Sequence, residues 1–380
     1  MADIKTHLRE LSVATILGLL KNNLRFQLKD LYNSDMFWQL ASQVIDSDIS
    51  NASNICDVQN YTGELRQIID NGYQLATYIY NNPHFVITPK DPIYWLGNDT
   101  QKEDPADIAV GRYGFSLKEE SFILENMGLY KLLNCYTGSR YTRRHIFKDY
   151  APYEYAQWFS VTWNEMLNIV NSAGGQWQYS NTRKPKGALI TLSGNSVVLD
   201  YLEHGRSTAK SILPLNCSLV EYENNTTAKT REEVFAKFIN QCLDSNYEYT
   251  LSKKECAIAA SEALADELNS NLNYRAGLPR FLRIHNFEYY YAKTTPYGVD
   301  VLKVPSIKDF GDSIRIESIE ASVPNTQANI LTTIVNIHTG RRLVLRNECR
   351  FSHGQFNGTP EAKMYYDRRT DLSIIYERIV

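Results

Sequence analysis

The chain has 380 residues, 43% of them hydrophobic and 22% charged, which suits one large domain or two to three smaller ones around a real core. Forty basic against forty-three acidic residues give a net charge of −3, so the molecule is not a polycation that would coat nucleic acid indiscriminately. No apolar run approaches the ~18 residues of a membrane span. The N-terminus also lacks the tripartite pattern of a signal peptide.

The first eighty residues or so read as helical. Apolar residues recur at helical spacing over Ile4–Leu31, and again over Gly63–Tyr80 after a start signal at Thr62. Asn81-Asn82-Pro83-His84 is a break. Phe85–Ile87 and Tyr94–Leu96 are strand-like pieces in a Pro- and Asp-rich stretch. Asp107–Lys118 then reads as two strands joined by a tight turn at Gly111. Alternation puts Ser116, Lys118 and Glu120 on one face of the second strand, with Leu117 on the other.

Further along, Ser121–Asn134 reads as a helix with Ile123, Met127 and Tyr130 on one side, followed by a helix over Tyr153–Val170. Ala188–Leu192 and Ser196–Leu202 are β-rich and joined at Gly194-Asn195. Arg231–Leu243 and Ser252–Leu272 are amphipathic helices. From Phe281 the pattern turns to strands: Phe281–Ile284, Glu288–Tyr291, Ser313–Ile319, Leu331–Ile337 and Arg342–Arg346. This gives an α+β chain with a helical N-terminal region and catalytic hairpin in 1–205, a helical segment in 206–275 and a β-rich region in 276–380. The alternative is one continuous domain.

Six widely spaced cysteines without a C-x-x-C pair predict reduced thiols in a cytoplasmic protein, with neither a disulfide framework nor a zinc site. Seven scattered histidines, and the absence of G-x-x-x-x-G-K-[ST], G-x-G-x-x-G and G-x-S-x-G, weigh against a histidine metal site, the usual nucleotide loops and a serine-hydrolase elbow. Charge is unevenly spread. Basic clusters at Arg140, Arg143, Arg144 and Lys148, at Arg183 and Lys186, and at Arg341 and Arg342 are compatible with a basic cleft in a neutral body.

The hairpin carries the most specific chemistry. An acidic residue beside a strand that presents a lysine can seat a divalent cation next to an attacking water. Magnesium keeps several of its waters and needs only one or two carboxylates. Asp107, then Ser116-x-Lys118, in the context Tyr113-Gly-Phe-Ser-Leu-Lys-Glu-Glu-Ser121 followed by Phe-Ile-Leu-Glu-Asn-Met-Gly, resembles the PD-(D/E)XK nuclease superfamily, and within it type II restriction endonucleases. The specific part of the match covers about thirty residues. The segment Arg350–Tyr365 also resembles the C-terminal regions of such enzymes.

The resemblance implies a mixed β-sheet flanked by helices and Mg2+-dependent hydrolysis of double-stranded DNA at a short palindromic site, leaving 5′-phosphate and 3′-hydroxyl ends. It implies a homodimer, with a DNA methyltransferase of the same restriction-modification system as functional partner. Asp107 would bind metal and Lys118 would assist the water. Two departures stand out. The family's Pro-Asp is here Pro105-Ala106-Asp107, and Ser116 occupies the position of the second carboxylate. Glu120, Glu125 or Glu64 would then complete the metal site. Glu361-Ala-Lys363, with Asp312 or Glu317 upstream, is a competing motif. For base reading the candidates are the Arg140–Lys148 segment and Arg341, Arg342, His353, Gln355 and Asn357, with Lys363 a phosphate contact. The alternative is a DNA-binding protein without catalysis, lacking a carboxylate at position 116.

Overall fold

The computed structural model describes residues 4–53, 59–97, 105–118, 123–125, 128–138, 145–181, 185–271, 273, 277–310, 313–351, 354–366 and 372–379. The chain is mixed α+β, with three β-sheets among the described residues.

Helix α1 (Ile4–Lys21) is buried almost all round, because α4 (Gly63–Asn81), α2 (Ser34–Val44) and the strand Ile93–Trp95 pack against it; the short α3 (Ser50–Ser53) follows α2. At Gly72 of α4 a Cβ would overlap the Ser12 hydroxyl, so only glycine allows α4 to cross α1 this closely. The helical reading of Ile4–Leu31 is corrected here: α1 ends at Lys21, Asn23 adopts φ 52°, and Leu28–Tyr32 forms a separate 3-10 turn.

The hairpin is present as β2 (Ile108–Val110) and β3 (Tyr113–Lys118), with Gly111 at φ 54° in the turn and β1 (Ile93–Trp95) antiparallel to β2. Phe85–Ile87 is not a strand; Phe85 instead packs its ring into Tyr113 and Tyr290. The expected helix Ser121–Asn134 is a strand, β4 (Ile123–Glu125), and then a helix, α5 (Leu129–Thr137). Pairing of β4 with the β-rich C-terminal part overrides the helical spacing there.

Helices α6 (Ile146–Tyr150) and α7 (Pro152–Ser172) lead into an antiparallel four-stranded meander of β5 (Gln176–Asn181), β6 (Lys186–Ser193), β7 (Ser196–Glu203) and β8 (Arg206–Pro214). Then come α8 (Leu219–Asn225), α9 (Ala228–Thr230), a π-helical turn at Arg231–Phe235, α10 (Ala236–Cys242), α11 (Tyr247–Ser270) and α12 (Leu278–Phe281). The strand expected at Phe281–Ile284 is instead the end of α12 and a turn with Arg283 at φ 55°.

Strand β9 (Tyr289–Thr295) returns parallel to β3, with Phe115 beside Tyr290 and Lys118 beside Lys293. It forms a hairpin with β10 (Gly298–Val304). Next come β11 (Ile314–Ser322), β12 (Ala328–Asn336), β13 (Arg342–Arg350), β14 (Glu361–Tyr366) and β15 (Glu377–Ile379). The sheet orders are β1-β2-β3-β9-β10-β15 and β11-β12-β13-β14-β4. The boundaries expected near 205 and 275 therefore cut across the six-stranded sheet.

Alternation along β9 explains why the molecule has two cores. Tyr290 and Ala292 point into the core of α1, α2 and α4, while Tyr289 and Tyr291 point into the core of α7, α11 and the five-stranded sheet. One sheet thus lies between two apolar layers, and the end of its β2–β3 hairpin faces α1.

Candidate active site

Asp107 immediately precedes β2, and its backbone N–H donates to the Phe115 carbonyl at 2.8 Å. This pairing sets its side chain beside the residues opposite on β3. The Leu117 N–H donates to Asp107 Oδ2 at 2.6 Å, the Ser116 hydroxyl approaches the same oxygen at 3.4 Å, and Lys118 Nζ lies 3.8 Å from it. All three contacts fall on Oδ2. Alternation thus brings Ser116 and Lys118 to Asp107, as the hairpin reading expects.

The second carboxylate comes from Glu10 on α1, a residue absent from the sequence-derived set. It is 5% exposed, and its Oε2 accepts the Trp95 indole N–H at 2.7 Å. Burial, and then the neighbouring Asp107, push its pKa up to about 8; the Trp95 hydrogen bond, Lys118 and Arg9 act in the opposite direction. Burial lowers the proton affinity of Lys118. Asp107 opposes that shift, Arg283 reinforces it, and Glu10 and Arg9 follow with opposite signs. Glu10 and Lys118 are thus both desolvated at this end of the sheet, within electrostatic reach of each other, of Asp107 and of Arg9, and Arg283 also acts on Lys118.

The signal for Glu10 was a lone acidic residue inside the apolar run of α1. Nothing in a sequence read alone ties it to a hairpin begun ninety or more positions later. The left-handed backbone of Arg283 is held by the Tyr289 hydroxyl, which donates to its carbonyl at 2.9 Å.

Among the described residues no group of three or more His, Cys, Asp or Glu is arranged to hold a metal ion. Two carboxylates with solvent suffice for magnesium. Asp107 adds to the burial that raises the proton affinity of Glu10, and a cation bound between them would relieve that repulsion.

The other sequence candidates fall elsewhere. Glu64 is exposed on the first turn of α4 and pairs with Lys5 at 2.6 Å. Glu125 lies in β4 of the five-stranded sheet, not on a helix and not in the sheet of Asp107 and Lys118. Glu120, Arg140, Arg143, Arg144, Arg183 and His353 lie outside the described residues. Lys148 pairs with Glu223 at 2.5 Å, Lys186 is 3.7 Å from Glu233, and Arg342 forks onto Glu317 at 2.6 and 2.9 Å. Arg341 is exposed in the β12–β13 turn.

Gln355 and Asn357 flank Phe356, whose buried ring sits among Trp158, Phe159 and Tyr155. In the competing motif, Glu361 and Lys363 lie in β14 opposite Arg350 and Glu348, and Glu317 is already engaged by Arg342; Asp312 lies outside the described residues. That motif assembles no second acidic pocket among the described residues.

No family model matches the chain, and no curated protein or solved structure is detectably similar to it.

Proposed function

We propose that this pocket is the active site of a site-specific deoxyribonuclease, a type II restriction endonuclease with a PD-(D/E)XK-type core. The observation that carries the reading is the convergence of Glu10, Asp107 and a desolvated Lys118 at one sheet end. The serine at position 116 removes one carboxylate from the family pattern, and Glu10 supplies one from α1. The parallel return of β9 beside β3 and the helices on both faces agree with the sheet implied by the resemblance.

In this reading Asp107 and Glu10 hold Mg2+. When bound, the ion polarises the scissile phosphodiester and offsets charge on the leaving 3′ oxygen. Lys118 Nζ holds the attacking water in line with phosphorus, and its lowered proton affinity lets it accept a proton from that water. Arg283 and Arg9 add positive charge where the phosphate would sit. The bond from phosphorus to the 3′ oxygen breaks and that oxygen takes a proton from solvent, leaving a 5′-phosphate and a 3′-hydroxyl.

The test is incubation of the purified protein with unmethylated phage DNA, with and without magnesium, followed by end analysis of the fragments. Discrete magnesium-dependent fragments with 5′-phosphate ends support the reading. Intact DNA despite tight, salt-sensitive binding would assign the protein to the non-catalytic DNA-binding class instead.

A further inference from the structure

Register places a second lysine beside the first. Strand β9 runs parallel to β3, with Ser116 opposite Tyr291 and Lys118 opposite Lys293, so the two lysines are neighbours on one face of the sheet. Beyond Lys293 the pairing narrows. Among the described residues Thr294 and Thr295 pair only with Val299 and Gly298 of β10, and β15 reaches β10 only at Val301–Lys303. A two-stranded ribbon therefore runs on past Lys118, and its tip stands about 10 Å beyond that level at the rise of a strand. The ribbon is stiff. Val299 packs against the core of α1, α2 and α4. In the two-residue turn Pro296 fixes its own φ, and the Thr295 hydroxyl accepts the Tyr297 N–H at 3.2 Å and donates to the Gly298 carbonyl at 3.1 Å. This turn carries Tyr297, which is 100% exposed.

We propose, resting on the nuclease reading above and deepening it, that the β9–β10 ribbon is the arm that grips duplex DNA beside the cut. Lys293 holds a phosphate next to the scissile one, and Tyr297 enters the adjoining groove. The major groove is about 12 Å wide and admits a two-stranded β-ribbon. A tyrosine at the tip brings a ring to pack on sugars and a hydroxyl to reach a phosphate. Charge fits the same occupant. Arg9 and Arg283 act on Lys118, and Asp300, opposite Lys293, is reached by Arg378 Nε at 3.4 Å. Among the described residues placed here, Lys118, Lys293, Arg9, Arg283 and Arg378 outnumber Asp107, Glu10 and Asp300. A turn already fixed by Thr295 and Pro296 gives up little freedom on docking.

The experiment is fluorescence anisotropy of fluorescein-labelled fragments of unmethylated phage DNA in EDTA, over a series of NaCl concentrations. Wild type, Tyr297→Ala and Lys293→Gln are compared, each checked for folding by circular dichroism. Tyr297→Ala should weaken binding about tenfold and leave the salt dependence as it is, because no charge is lost. Lys293→Gln should weaken binding and lower the slope of log affinity against log salt by about 0.9. The Tyr297 side chain lies wholly in solvent, so that variant carries the test if Lys293→Gln does not fold.

Both variants binding DNA as wild type does would overturn the arm while leaving the nuclease reading standing. A loss confined to Lys293→Gln would overturn the role of the tip. A Tyr297→Ala protein that binds DNA normally but elutes as a smaller species than wild type in size-exclusion chromatography would give the ring to a second copy of this chain instead. Failure of wild type to bind the DNA, together with no cleavage in magnesium, would remove the nuclease reading and the arm with it.

Discussion

Asp107 and Lys118 face each other at 3.8 Å across neighbouring strands, and the amide of Leu117, one residue before the lysine, holds the aspartate by a 2.6 Å hydrogen bond. The hairpin therefore sets the acid and the amine in one geometry. Burial then separates their roles: Lys118 loses proton affinity, while Glu10 across the pocket gains it.

Glu10→Gln should separate stability from activity. The folded chain holds the Glu10 proton up to about pH 8, whereas the unfolded chain releases it near 4.5. Between those values the folded state binds more protons, so this group's contribution to stability falls as pH rises through that window. The amide keeps an acceptor for the Trp95 N–H and removes the charge. In metal-free buffer at pH 8.5 the variant should be more stable than wild type by on the order of 1–3 kcal/mol, with little difference at pH 5. It should cleave no DNA. Magnesium should raise the melting temperature of wild type and not that of the variant. Thermal melts at the two pH values check each point, and a destabilised variant at pH 8.5 would count against the buried acid.

His145 gives a pH dependence of the opposite slope. Burial, with Lys148 nearby, pushes its pKa down to about 4, although a hydrogen bond to the Gly358 backbone works the other way. The unfolded chain takes up this proton near 6.5, so between about 6.5 and 4 the unfolded state binds more protons and stability falls as pH falls. Partial exposure holds the effect to about 2 kcal/mol. His145 Nδ1 also accepts the Lys148 N–H at the start of α6, and Asn at this position would keep an acceptor there. Urea denaturation of His145→Asn at pH 7 and pH 5 should show a flatter dependence than wild type.

Phe356 anchors the Gly354–Gly358 loop. It is 1% exposed at φ 58°, 4.6 Å from the Trp158 ring, and Gly354 has no room for a Cβ against Ala236. Phe356→Ala should cost about 3–5 kcal/mol in chemical denaturation. A loss below about 1 kcal/mol would mean that the loop is not held by this ring.

How much of this was readable in the chain follows from the range of the interactions. The hairpin was legible because period-two alternation and a turn glycine are local signals, and they bring Ser116 and Lys118 to Asp107. Helix α4 was legible from its spacing and from Thr62. Glu10 was not, because its partner Trp95 and its neighbours Asp107 and Lys118 lie in or beside strands distant in sequence. Ile123–Glu125 misled for a related reason: three residues carry too little periodicity to reveal a strand whose partner, β14, lies near the other end of the chain. The turn at Arg283 hides a left-handed residue that no composition rule marks.

The central claim is that Lys118 does chemistry at a site built from Asp107 and Glu10. Single-turnover cleavage of one DNA substrate at saturating magnesium, comparing wild type with Lys118→Ala alongside their DNA affinities, tests it most directly. A fall in cleavage rate of about 10^3-fold with DNA affinity little changed is the outcome this site requires. A Lys118→Ala protein that cleaves at the wild-type rate would remove the pocket from the chemistry altogether.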